Sequence, residues 1–219
     1  MGRMDAESGE GMITEVQVEG YFAENSFFYI DDATKHGFLI DPGAEAERLL
    51  AIIKDNNWKI EKILLTHGHF DHTGAVEEIR NALAVPVYAF ATADAYLLDP
   101  FKNLSALCGS PIVVSNAIHF VDGEIISLRS NSSFGLQVIY TPGHTTDSVV
   151  FYAEKSQAAF VGDTIFKGSI GNYHFPGGNL RDLRCSITEK IFTLPDGTTL
   201  YSGHSEPTTV GAEKRRYGF

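Results

Sequence analysis

Residues 60–65 read as a buried strand, and they run without a break into Thr66-His67-Gly68-His69-Phe70-Asp71-His72. Three of the chain's eight histidines fall in the window 67–72. A helical pattern follows over 74–83, so the cluster sits on a strand-to-helix loop, where a rigid scaffold presents side chains for function. Imidazole nitrogens and carboxylate oxygens are the donors that zinc accepts, and iron or manganese use the same set. His67 and His69 are spaced to converge on one ion, with Asp71 and His72 turned to a neighbouring one.

Three more donor-type residues follow strand patterns in the same manner. His144 lies in Thr141-Pro142-Gly143-His144-Thr145 after a strand over 136–141. Asp163 lies in Val161-Gly162-Asp163-Thr164 after 158–161, and His204 lies in Ser202-Gly203-His204-Ser205 after 198–202. Glycine precedes each of the three, which permits a tight backbone turn beside a site. Each of these turns alone is unremarkable; added to the first cluster they complete a ligand set.

The remaining periodicity places strands at 13–18, 27–30, 37–40, 85–90, 124–128 and 148–153, bounded by turn residues. Helices are expected over 44–54, where Leu49, Leu50, Ile52 and Ile53 form an apolar face, and over 91–98 and 180–192. Residues 99–120 read as a long connection with little structure of its own, of the kind that covers a site. Strands before and around helices in both halves imply two packed sheets with helices outside. Residues 1–12 are expected to form a flexible segment ahead of one domain over 13–219.

Charge and cysteine content narrow the function. A formal net charge of −11 opposes a phosphate backbone, so no nucleic acid partner is expected. The compact basic run Glu213-Lys214-Arg215-Arg216 is too short to reverse that. Two cysteines, Cys108 and Cys185, make no disulfide framework and are read as small buried hydrophobes; a reducing, cytoplasmic setting is expected. No signal peptide or membrane span is read, so no membrane partner is expected; the expected partner is a small-molecule substrate, on the resemblance given below.

The ordered set Thr-His-x-His-x-Asp-His, Pro-Gly-His-Thr, Gly-Asp-Thr and Gly-His resembles the metallo-β-lactamase superfamily. Within it the chain is similar to glyoxalase II-like hydrolases that lack the C-terminal helical domain. That likeness extends to Asp163-Thr164-Ile165-Phe166, Ser169-Ile170-Gly171, Phe175-Pro176-Gly177-Gly178 and Thr208-Thr209-Val210-Gly211 with Glu213-Lys214. The resemblance implies an α+β fold, the four-layer αβ/βα metallo-β-lactamase sandwich, with the site at one edge between the sheets. It implies a first metal on His67, His69 and His144, a second on Asp71, His72 and His204, and Asp163 bridging both. The cofactors would be two divalent metal ions, zinc first, with iron or manganese as alternatives.

Two such ions trap a hydroxide at neutral pH and polarise a carbonyl, with Asp71 orienting the nucleophile and moving its proton. The expected reaction is hydrolysis of a thioester of glutathione or a related thiol. The segment Gly171-Asn172-Tyr173-His174 lacks the basic residue the family commonly places after that glycine, which weakens the case for glutathione itself. The alternatives are a persulfide dioxygenase with one iron, a two-metal nuclease, and a non-catalytic metal-binding domain. Among the remaining polar residues, Asp41 is assigned a supporting role beside the ligands, His36 and His119 structural roles, and His174 the surface. Trp58 is read as core or partial cover, while Asn25 and Ser26 are read as strand-edge residues without a role.

Overall fold

The computed structural model describes residues 11–218. The segment expected to be flexible therefore lies outside the described residues, except that Gly11 and Met12 open the first strand.

The first sheet holds β1 (Gly11–Glu19), β2 (Ala23–Asp31), β3 (His36–Ile40), β4 (Lys59–Leu64), β5 (Val87–Phe90) and β6 (Ile118–Phe120) in that order. β1 to β3 pair antiparallel, and β3 to β6 run parallel. The parallel pairs need crossovers, supplied by α1 (Ala46–Asp55), by α2 (Phe70–Thr73) with α3 (Val76–Leu83), and by the segment carrying α4 (Asp94–Leu97). The second sheet has β7 (Ile125–Ser127), β8 (Gly135–Tyr140), β9 (Val149–Ala153), β10 (Ala158–Gly162), β13 (Thr199–Ser202) and β14 (Thr208–Thr209), in the spatial order β14-β13-β10-β9-β8-β7. A hairpin of β11 (Ile165–Phe166) and β12 (Ser169–Ile170) follows β10. The helices α5 (Leu180–Glu189) and α6 (Val210–Tyr217) complete the chain.

Strand side chains alternate between two faces, and here both faces are covered. Phe27, Tyr29, Phe38, Ile40 and Leu64 of the first sheet meet Leu136, Val138, Phe151 and Phe160 of the second. The opposite face of the first sheet, with Phe28, Ile30, Leu39 and Ile63, packs on Leu49 and Ile53 of α1 and on Val76 and Ile79 of α3. Val150, Ala159, Val161 and Leu200 turn outward to Leu183 and Ile187 of α5 and Val210 of α6. The order helix, sheet, sheet, helix is the four-layer αβ/βα sandwich expected from the sequence. Trp58 is in the core, as expected. No helix among the described residues is long and apolar enough to cross a membrane.

Residues 99–120 have little regular structure, as expected, beyond a 3-10 turn at Ser105–Leu107 and the closing strand β6, which the sequence reading did not place. A three-residue edge strand with only Phe120 buried is too short to leave an alternating pattern. Residues 210–217 form α6, read from the sequence only as a motif and a basic run. Against expectation, Cys185 is exposed and Cys108 half-buried, because neither faces one of the three cores.

His36 and His119 are structural, as assigned. His36 Nδ1 lies 2.7 Å from Glu61 Oε1, and His119 Nε2 lies 3.0 Å from Asp94 Oδ1. Glu61 also accepts from the Arg129 and Ser130 N–H groups at 2.6 and 3.1 Å, tying β4 to the loop before β8. Burial alone would raise its carboxyl, but hydrogen bonds from Ser130, Arg129 and His36 outweigh it and hold it at about 2. A depressed carboxyl stabilises the fold above its unfolded value near 4.5, and that stability is lost as pH falls toward 2. Glu61→Gln is expected to cost up to about 3 kcal/mol at pH 7. The gap to wild type in urea titrations should close between pH 4.5 and 2. A gap unchanged over that range would refute the assignment.

Candidate metal centre

His67, His144, Asp163 and His204 follow β4, β8, β10 and β13, and the turns after those strands bring their side chains to one edge of the sandwich. His69 N-caps α2, which carries Asp71 and His72. All seven residues singled out in the sequence are brought together. His67, His69 and His144 form one group, and Asp71, His72 and His204 a second, with donor atoms in each within 4.8 Å of one another.

Ring orientation fits a metal better than it fits a hydrogen-bond network. His67 Nε2 and His144 Nε2 lie 3.1 and 3.0 Å from His69 Nδ1, three ring nitrogens crowded onto one point. Donors on a zinc–nitrogen shell of about 2.0–2.1 Å stand roughly 2.9 to 3.4 Å apart, depending on coordination angle. Burial, reinforced by the neighbouring histidines, pushes His67 well below the usual imidazole range and brings His69 to about 3. Burial also lowers His144. These rings are neutral, with lone pairs to give.

The far nitrogens of four of the five rings face an oxygen, while His69 Nε2 is buried without a partner. His144 Nδ1 donates to the Asn172 carbonyl at 2.7 Å, and His204 Nδ1 to the Ala23 carbonyl at 2.7 Å. His72 Nδ1 donates to Asp41 Oδ2 at 3.0 Å. Thr66 Oγ1 donates to Asp41 Oδ2 at 2.5 Å and stands 3.2 Å from His67 Nδ1. Fixing one ring nitrogen as a donor leaves the other as a lone pair aimed inward, the arrangement found around metal-ligating histidines.

Asp163 lies between the two groups. Its Oδ1 is 3.4 Å from His72 Nε2, and its Oδ2 is 3.6 Å from His144 Nε2 and 3.5 Å from His204 Nε2. Asp163 Oδ1 and His72 Nε2 are buried without a hydrogen-bond partner, which in a polar pocket fits a metal-ligating role better than a structural one. Burial opposes charge on Asp163, but His72 and His204 outweigh it and hold the carboxylate well below its usual range.

Asp41 sits where the sequence put it. Leaving β3 in the left-handed region, at φ 49°, it accepts from the Thr66 N–H at 2.7 Å and so holds the turn that starts the histidine cluster. Asn25 was misread as an unassigned edge residue: it is buried, and its Nδ2 donates to the Ser202 and Ser205 carbonyls at 3.0 and 3.1 Å. With the Asn25 N–H on the Gly203 carbonyl at 2.8 Å, β2 clasps the loop that carries His204. Ser26 Oγ donates to the Asp41 carbonyl at 2.7 Å. Glu24, absent from the sequence reading, is buried with Oε1 3.6 Å from His72 Nδ1. The one signal was polar Glu24-Asn25-Ser26 running into an apolar strand. His174 is exposed and lies against Tyr173 with the rings tilted by 41°, outside both donor groups.

Close packing also fixes the hairpin after Asp163. A Cβ on Gly171 would stand 1.7 Å from the Asp163 carbonyl oxygen and 3.4 Å from His144 Nδ1. Gly171→Ala must shift the segment whose Asn172 carbonyl orients His144. The expected result is a folded protein, by circular dichroism, that binds metal about 10-fold or more weakly by chelator competition. Unchanged affinity would show that this support is dispensable.

Residues 20–204 match the family model of the metallo-β-lactamase superfamily, and the chain belongs to that superfamily of metal-dependent hydrolases. It is 33% identical to the hydroxyacylglutathione hydrolase GloC of Haemophilus influenzae, over 90% of this chain and 93% of that one. The solved structure of BLEG-1, a B3 metallo-β-lactamase, superposes with a TM-score of 0.87 at 35% identity, covering 93% of this chain and 97% of that one. TTHA1623, solved in a di-iron-bound form, superposes at 0.82 with 32% identity, covering 93% and 98%.

Proposed function

We propose that the protein is a binuclear metallohydrolase that cleaves thioesters. The observation that carries this reading is the pair of donor groups with Asp163 between them, at 3.4 to 3.6 Å from histidines of both. His67, His69 and His144 would hold one divalent ion, Asp71, His72 and His204 the other, and Asp163 would touch both. Two ions so held acidify water toward neutral pH and act as Lewis acids on a carbonyl. Zinc suits this donor set, and iron or manganese use it as well.

The chain's own residues supply position and proton handling. Asp71 has a side chain 12% exposed and lines the open cleft, with Oδ2 3.2 Å from His204 Nε2. It is placed to orient an attacking water and take up its proton. Burial would raise the Asp71 carboxyl, but His204 and His72 outweigh it and keep it ionised and able to accept. Phe166 and Phe175 flank His204 and His69 at ring separations of 6.2 and 5.6 Å and limit water at the reacting carbonyl. A thioester suits such a site because its thiolate departs near neutral pH without a dedicated acid.

The likeness to GloC supports a thioester. A sulfur-oxidising site with one iron would leave Asp71, His72 and His204 without a task. The test is loss of thioester absorbance with S-lactoylglutathione and S-phenylacetyl-N-acetylcysteamine on zinc-loaded protein. Turnover of either supports the reading. Inertness toward both, with a lactam or phosphodiester cleaved instead, would refute it.

A further inference from the structure

The walls of the centre are apolar and carry no cation. Phe22, Phe70, Leu104, Phe166 and Phe175 line a cleft of about 360 Å³ that opens on His69, His144, Asp71, Asp163 and His204. That size is sufficient for a small ligand. A second cleft of about 280 Å³ shares Phe22, Phe70 and Asp71 and continues past Tyr21 and Ile112. Tyr21 and Phe22 are 65% and 52% exposed, and both rings lie against Phe70, at 6.0 and 6.1 Å. Large aromatic rings left in water beside a polar centre mark a surface built for an apolar ligand.

Among the described residues, neither cleft is lined by lysine or arginine. The second cleft instead carries Glu45 and Glu78. Of the cations next to lining residues in the chain, Lys167 is paired with Glu206 at 2.6 Å. Arg48, beside the second cleft, is paired with Glu45 at 2.7 Å. Lys102 is exposed next to Asn103 and Leu104, and is therefore included in the test. A carboxylate entering these clefts would lose hydration, find no lysine or arginine in the walls, have only the bound ions as counter-charge, and meet the repulsion of a chain of net charge −11.

We propose that the site selects thioesters that are uncharged on both sides of the carbonyl, with an aromatic or branched acyl group seated among Phe22, Phe70, Phe166 and Phe175. The inference rests on the thioesterase reading and narrows its substrate class away from anionic thiols such as glutathione. Phe175 is the main selector, since its ring meets both His69 and His144 edge-on, at 5.6 and 6.2 Å. Phe22 lines the same cleft against Phe70.

The test uses zinc-loaded full-length protein and four thioesters, phenylacetyl and acetyl esters of N-acetylcysteamine and of glutathione. Binding of two unreactive thioethers, S-benzyl-N-acetylcysteamine and S-benzylglutathione, is measured alongside by calorimetry. We expect kcat/KM for phenylacetyl-N-acetylcysteamine to exceed that for its glutathione counterpart by about 10-fold or more, with the same order in thioether binding. Phe175→Ala and Phe22→Ala should each lower the phenylacetyl-to-acetyl ratio by about 10-fold, and Lys102→Ala should leave every ratio unchanged. Preference for the glutathione compounds, or a loss of their binding confined to Lys102→Ala, would overturn the inference and leave thioester hydrolysis standing. Tighter binding of the neutral thioether without cleavage of any thioester would overturn the thioesterase reading and leave the apolar selectivity standing.

Discussion

Asp163→Ala is expected to reduce bound metal from about two ions per chain to below one and to lower thioester hydrolysis by about 10³-fold or more. The size of the effect follows from position. One carboxylate faces His72, His144 and His204, so its removal uncouples both donor groups at once. The fold should survive, because the Asp163 side chain joins none of the three hydrophobic clusters. Circular dichroism and elemental analysis on one preparation separate lost metal from lost structure. His174→Ala is the matched control: an exposed histidine eleven residues along the same segment, expected to leave metal content unchanged. Two metals and full activity in Asp163→Ala would refute the ligand assignment.

The second large effect is expected at a residue outside the two donor groups. Asp41 holds the Thr66 N–H, the Thr66 hydroxyl and His72 Nδ1 with one buried carboxylate. Asp41→Ala leaves those donors without an acceptor and frees two rings to rotate. Metal affinity should fall about 10- to 100-fold, and stability by about 2–4 kcal/mol, because each unpaired buried donor carries a desolvation cost. Asp41→Asn keeps the shape and one acceptor oxygen, so its affinity should lie between wild type and alanine. Chelator competition and urea denaturation read the two quantities separately. Wild-type affinity in both variants would mean that the rings are held by packing alone.

Much of this centre was legible because each donor follows a strand in sequence. His67, His144, Asp163 and His204 are each announced by an apolar run and a turn, and parallel and antiparallel pairing carries those turns to one edge. The supporting residues were less legible for a physical reason. Whether Glu24 and Asn25 face His72 and the His204 loop depends on how one sheet lies over the other. No periodicity within β2 encodes a partner 177 residues away. Asp41, after a strand and before Pro-Gly, could be read from the pattern as a supporting or a turn residue, and the family resemblance decided for the former.

Elements at the sheet margins escaped for a different reason. β6 has three residues, two of them exposed, and leaves no alternation to detect. α6 was obscured by Lys214, Arg215 and Arg216, although the buried Glu213 anchors it by accepting from the Gly168 N–H at 3.1 Å and the Thr208 hydroxyl at 2.7 Å. The aromatic collar was likewise invisible, because Phe22, Phe70, Phe166 and Phe175 belong to four separate segments that only the tertiary fold assembles.

The most direct test of the binuclear reading is metal stoichiometry on protein purified without chelators, by elemental analysis, with thioester turnover measured on the same sample. About two ions per chain with turnover is the predicted result. A single iron per chain, with every thioester inert, would contradict it and return the site to sulfur oxidation.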